Sequence, residues 1–164
     1  MHVRALAADD APAFRALRLR ALREPPEAFT PSDEGHEKMP PSATEQRLQQ
    51  SDRRRFWGAF DSAAPLGIAG LEPEQRAKNR HKATVAGMYG ASEAAGRGVG
   101  RVLIEAAMRD ARATRIELLV LTVTQGNNAA TALYERAGFR SFGVEPDASA
   151  SAAAASPSNT WTSS

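Results

Sequence analysis

The sequence predicts a mixed α/β domain of the α+β kind, a central sheet flanked by helices, and three observations predict it. Strand-period and helix-period segments follow one another as strand, helix, helix, hairpin, strand, helix, strand, helix and strand. One segment, "IELLVLTV" at 116–123, is apolar on both faces, as a central strand covered from both sides should be. A glycine-rich turn, "AGRGVG" at 95–100, runs directly into an amphipathic stretch. A chain of 164 residues suits one such domain.

The elements are justified in order. "HVRALA" alternates as a short first strand. Asp9 or Asp10 then caps a helix with Pro12 in its first turn and Phe14, Leu17 and Ala21 on one face. Residues 24–41 are rich in proline and polar groups, which predicts a loop. Ser42 and Glu45 stand at capping-box spacing and open a short second helix. "RFWGAF" (55–60) and "PLGIAGLE" (65–72) form a hairpin, and "KATVAGMYG" (82–90) a strand whose glycines predict a bulge or a splay. A helix follows from about Gly98 to Ala113, with Leu103, Ala107 and Ala111 on one face and Arg101–Glu105–Arg109 exposed at i,i+4 spacing. After strand 116–123, "NAATALYERAG" is a helix that starts near Asn127 or Asn128 and ends on Gly138, a left-handed cap. "FRSFGVE" is one more strand.

Composition excludes several classes. The net charge of +2 is too small to argue for nucleic acid, and the basic runs at 53–55 and 76–82 lack aromatic interleaving. No apolar run approaches 18 residues and "MHVRALAADD" lacks a signal-peptide core, so neither a membrane span nor export is expected. The absence of cysteine fits a reducing cytoplasm. His2, His36 and His81 have no metal-ligand spacing, so no metal is expected.

Gly96, Gly98 and Gly100 raise the chemical question. Glycine disfavours helix by about 0.5–1 kcal/mol relative to alanine, so three at a helix start point to a tight turn or a close approach. A strand that delivers such a turn into a helix N-terminus builds an anion site, because the first-turn N–H groups lack partners and the helix dipole favours negative charge. A phosphate-binding GxxxxGK[ST] loop fails for want of a lysine after Gly100. A dinucleotide GxGxxG fails because Arg101 or Leu103 stands where the third glycine belongs.

What remains resembles the pyrophosphate loop of the GNAT superfamily of acetyl-coenzyme A-dependent N-acetyltransferases, Q/R-x-x-G-x-G/A, matched at Gly98 and Gly100. The family's N-x-x-A-x-x-L-Y-x-x-x-G-F is matched throughout by Asn127, Ala130, Leu133, Tyr134, Gly138 and Phe139. The resemblance covers residues 2–147 and implies a single GNAT domain over 1–147, with a sheet splayed between two adjacent strands. A pantetheine arm would pair with strand backbone in that slot, in the manner of an added strand.

The cofactor set so implied begins with the main chain of Met88, Tyr89 and Gly90, which would hold the arm. The loop of Ala95 and Gly96 follows, then the amides of Arg97, Gly98, Val99, Gly100, Arg101 and Val102, which would take the pyrophosphate. Asn127 and Ala130 would contact the arm from the other side of the slot. Tyr134 is the implied acid for the leaving sulfur. A lysine-like ammonium of pKa about 10.4 costs roughly 4–5 kcal/mol to deprotonate at neutral pH, so a base matters, and Glu72 at the end of the third strand is the candidate. A solvated surface glutamate is the other reading of Glu72.

The expected activity is acetyl transfer from acetyl-coenzyme A to the primary amine of a small molecule or peptide, by direct attack in a ternary complex, in a cytoplasmic monomer or homodimer. A non-catalytic acyl-coenzyme A sensor and a truncated, weakly active relative are the alternatives. Three positions depart from the family: Gly90 replaces the usual valine, Ser92 the usual proline and Ala95 the Q/R residue. A looser loop and weakened affinity are expected. Residues 148–164 are dominated by alanine and serine, which predicts a disordered tail and a missing or altered final strand. That composition is also what a GC-rich gene read out of frame after about Pro146 would encode.

Overall fold

The computed structural model describes residues 1–23, 41–49, 54–124, 127–145 and 150–155. The loop expected at 24–41 lies almost entirely outside them. The elements are β1 (His2–Ala5), α1 (Ala11–Arg23), α2 (Pro41–Leu48), β2 (Arg55–Phe60), β3 (Pro65–Pro73) and β4 (Lys82–Gly90). There follow α3 (Val99–Ala113), β5 (Leu118–Thr124), α4 (Asn128–Arg136), β6 (Arg140–Glu145) and β7 (Ala150–Ala155). Among the described residues, seven strands form one sheet in the order β1-β2-β3-β4-β5-β7-β6, and only β4 and β5 run parallel. Among the described residues, no helix is long and apolar enough to cross a membrane.

Local chemistry explains the boundaries. The cap position falls on Ala7 rather than on Asp9 or Asp10, and Asp10 serves the segment from within: its Oδ2 accepts from the Ala7 amide at 2.9 Å, while Arg4 grips both carboxylate oxygens at 2.8 Å. Those bonds, Arg4 first, hold the Asp10 carboxyl below its ordinary range. The second helix starts at Pro41 rather than Ser42, because proline's fixed φ and missing N–H suit a first helical position. Gly138 ends α4 at φ 101°.

Two apolar layers flank the sheet. On one face Leu103, Ile104, Ala107 and Ala111 of α3 pack with Leu71, Ala83, Val85, Leu119, Leu121 and Val123. On the other, Phe14 and Leu17 of α1 and Leu48 of α2 meet Phe56, Phe60, Ile68 and Tyr89. Each fully buried aliphatic or aromatic side chain contributes about 1.5–3 kcal/mol. Arg55 of β2 fastens the far end of α3 through Asp110 at 2.6 Å. The second face of β5 is less covered than its sequence predicts. Val120 and Thr122 are half-buried, and no β5 residue joins the α1–α2 cluster.

The expected loss of the last strand is corrected. Residues 150–155 form β7, inserted between β5 and β6 with Leu119 opposite Ala155 and Arg140 opposite Ala154. A composition argument counts what side chains can bury. A strand laid between two others pairs its backbone on both edges, and alanine and serine place no steric demand on that ladder.

Gly67 sets how closely α3 approaches the sheet. A Cβ there would lie 2.4 Å from Val99 Cγ1 and 2.9 Å from the main-chain oxygen of Tyr89, which cannot turn away. Gly67→Ala is therefore expected to lower the unfolding free energy by about 1–3 kcal/mol. A lowered urea midpoint at constant slope would show it.

Candidate active site

The strand β4 bends before it reaches the helix. Ile68 pairs with Tyr89 and Gly70 with Ala86, so Ala69 alone faces both Gly87 and Met88. Gly87 takes the extra residue at φ 63°, a left-handed value that glycine adopts without strain. The bulge shifts the side-chain phase. Ala83 and Val85 face α3, whereas Tyr89, which plain alternation would put beside them, joins the α1–α2 cluster. The bulge expected from the glycines of 82–90 is present.

The splay is present too. The strands β4 and β5 pair only at Lys82–Leu118, Ala83–Leu119 and Thr84–Val120. Beyond Thr84 the two strands diverge, leaving a fork between residues 85–90 and 121–124.

After β4 the chain turns twice. The Ala94 amide donates to Ala91, Ala95 to Ser92 and Arg97 to Ala94, at 2.9, 3.1 and 3.1 Å. The first bond of α3 runs from the Val102 amide to the Gly98 carbonyl at 3.1 Å. The loop amides of Ala95, Arg97 and Val102 are thus engaged within the turn. The N–H groups of Val99, Gly100 and Arg101 begin the helix with no carbonyl behind them. Gly98 precedes them at φ 80°, and a Cβ on it would meet nothing within 4 Å. The Cβ direction of Gly98 therefore points into open space beside the first-turn donors of α3.

Gly100 also has a packing neighbour that its spacing does not announce. A Cβ there would stand 2.7 Å from Leu133 Cδ2, so its bareness lets α4 lie against the first turn of α3. That packing brings the second motif to the first. Asn127 caps α4, its Oδ1 accepting from the Ala130 amide at 3.1 Å. Tyr134, one residue beyond Leu133, is buried among Val99, Leu103, Leu121 and Val123, on the α3 side of the fork. Its ring meets Phe139 edge-on at 5.8 Å. Burial raises the Tyr134 phenol well above its ordinary value, so it keeps its proton throughout the neutral range.

A groove of about 450 Å³ leads away between α3 and α4, lined by Arg101, Ile104, Glu105, Met108, Leu133 and Arg136 among others. Arg101 is paired with Glu105 one turn along α3 at 3.0 Å. On the other side of the loop, Glu93 is gripped by Arg20 of α1, first through a hydrogen bond at 2.6 Å, and its carboxyl is pushed down to about 2. This pair ties the turn after β4 to α1.

Glu72 stands apart from the rest. It lies opposite Thr84, the last closed rung of the β4–β5 pair, and so at the root of the fork rather than its open end. Its neighbour Leu71 faces α3, which puts Glu72 on the α1–α2 face, opposite to Tyr134. Its Oε1 is 3.5 Å from Arg54 Nε. The hairpin turn after β2 was expected from the sequence, but its contact was not: there Asp61 accepts a hydrogen bond from Arg97. Nothing in local spacing signals a contact between residues 36 positions apart.

The model of the acetyltransferase (GNAT) family matches residues 17–139, which contain the bulge, the fork, the glycine turn and the whole of α4. A comparison with curated protein sequences gives no match. Solved structures do resemble the chain. An acetyltransferase of the GNAT family from Streptococcus pneumoniae is 25% identical, with a TM-score of 0.80 over 93% of this chain and 96% of that one. A ribosomal-protein-alanine N-acetyltransferase from Brucella melitensis gives 21% and 0.80 over 95% and 99%. The PaiA N-acetyltransferase of Thermoplasma acidophilum, solved with coenzyme A, gives 17% and 0.76 over 94% and 98%. With the family model spanning the splayed sheet, the glycine turn and α4, the chain belongs to the GNAT acetyltransferase family.

Proposed function

We propose that this protein transfers the acetyl group of acetyl-coenzyme A to a primary amine, by direct attack while both substrates are bound. The observation that carries this reading is the open turn at Gly98. A diphosphate needs several convergent donors and no intervening side chain. The amides that start α3 meet the first condition and the vacant Cβ position of Gly98 meets the second. The residues present therefore fit the group. Val99, Gly100 and Arg101 would donate to the pyrophosphate, and the main chain of Met88, Tyr89 and Gly90 would pair with the pantetheine arm along the open edge of β4. The groove bearing Arg101 and Arg136 offers room and positive charge for the remaining nucleotide.

Acetyl-coenzyme A supplies an activated thioester, and the chain supplies orientation and proton traffic. Tyr134 holds a proton beside the fork, available to the departing sulfur. The acid term is worth about 10²–10⁴-fold at most, and less here because a thiol of pKa near 8.5 leaves readily. Glu72 would relieve the incoming ammonium of its proton through water, since it sits at the closed end of the fork. The separation of the two groups onto opposite sheet faces suits attack from one side and departure to the other.

The test is thiol release from acetyl-coenzyme A in the presence of an amine panel. It should include amino acids, polyamines, lysine peptides and a peptide with N-terminal alanine, the acceptor class named for the Brucella melitensis neighbour. Release well above hydrolysis with one class identifies the acceptor. Tight coenzyme A binding without turnover on any amine would instead favour an acyl-coenzyme A sensor.

A further inference from the structure

Asp61, in the turn after β2, touches two groups that are distant in sequence. Its Oδ2 accepts from Arg97 Nη2, and its Oδ1 lies 3.2 Å from the amino nitrogen of Met1. Arg97 stands between Gly96 and Gly98, both near φ 80°, and neither glycine has a neighbour within 4 Å of its Cβ position. The backbone at Arg97 is therefore the most freely jointed part of the loop, and its amide bond to Ala94 restrains only one side. The contact with Asp61 ties its side chain to the sheet. An arginine fork has five N–H donors in a fixed plane, so one donor can stay on Asp61 while others face an anion.

We propose that Asp61 is a positioning residue for the anion site, holding the Arg97 guanidinium beside the open amides of Val99 to Arg101 before the ligand arrives. The inference rests on the coenzyme A reading above and adds to it a side chain outside both sequence motifs. The physical gain is preorganisation. An arginine that has already given up its rotamer freedom loses less of it on binding. The loop lacks a side-chain tether at Ala95, and Arg97 held from the neighbouring turn takes that place. The effect falls on affinity rather than on the chemical step, since Asp61 reaches the anion site through Arg97.

Calorimetric titration with free coenzyme A tests this on the unsubstituted protein, Asp61→Asn, Arg97→Gln and the double variant. Asp61→Asn should weaken binding about three- to fivefold, the scale an exposed ion pair permits. The same substitution should do nothing further in the Arg97→Gln background. Asp61→Glu should restore most of the affinity, and in turnover assays the loss should appear in KM for acetyl-coenzyme A with kcat held. Unchanged or tighter binding by Asp61→Asn overturns the proposal, as does an equal loss in both backgrounds. Absence of coenzyme A binding by the unsubstituted protein overturns the coenzyme A reading itself, which separates the two failures.

Discussion

Gly98→Val is expected to lower coenzyme A affinity at least tenfold while the protein stays folded. The structure separates the two effects. The substituted side chain enters vacant space, so it breaks no packing, and its structural cost is the left-handed backbone alone, about 1–2 kcal/mol. The cost to binding is larger on the coenzyme A reading, because the added methyls occupy the open space beside the first-turn amides of α3. Gly96→Val is the matched control: it has the same positive φ and the same open surroundings but lies three residues before the first helix donor. Equal losses from both would show that loop stiffness, not access to the amides, governs affinity. Calorimetry with coenzyme A and a thermal midpoint for each variant decide between them.

Tyr134→Phe is expected to lower kcat about tenfold to a few hundredfold. Coenzyme A affinity should change less than twofold, since the ring, its burial and its edge contact with Phe139 remain. The pH dependence carries a second check. An acid works while protonated and fails as pH rises through its folded pKa, and burial has moved that point above the ordinary tyrosine value. The ratio of wild-type to variant rates should therefore be constant from neutrality to about pH 10, the usual pKa of tyrosine. A ratio that collapses near neutrality, or a normal rate in the variant, would make Tyr134 a packing residue only.

How much of this was legible depends on whether the cause is local. The helix at 99–113 could be read because its apolar positions recur at helical spacing, and its start because glycine is costly inside a helix. The bulge could be anticipated from Gly87, and the αL end of α4 from Gly138, for the same backbone reason. Gly100 could be read as a point of close approach, but the sequence does not reveal that Leu133 is the neighbour on its Cβ side. Glu72 could be placed at the end of a strand but not relative to the fork. The register that seats it opposite Thr84 is set by the bulge and by packing across the sheet. The strand β7 was missed because its composition is poor in the residues that signal burial, whereas its place is secured by two ladders. The partners of Asp61 could not be found, since long-range ion pairs leave no spacing in the sequence.

The order of strands also has a consequence for how the chain matures. During synthesis β5 and β6 emerge before the strand that must lie between them. The first four strands, with α3 pinned by Arg55 and Asp110, can close on themselves as soon as they appear. β5 can join them through its three pairs with β4, but β6 cannot, because its ladder is with β7 and it waits for residues 150–155. In that interval β5 shows an open edge between apolar side chains, the arrangement most prone to pair with a strand from another chain. Refolding should accordingly divide into an early phase at the amino-terminal half and a late one limited by insertion of β7.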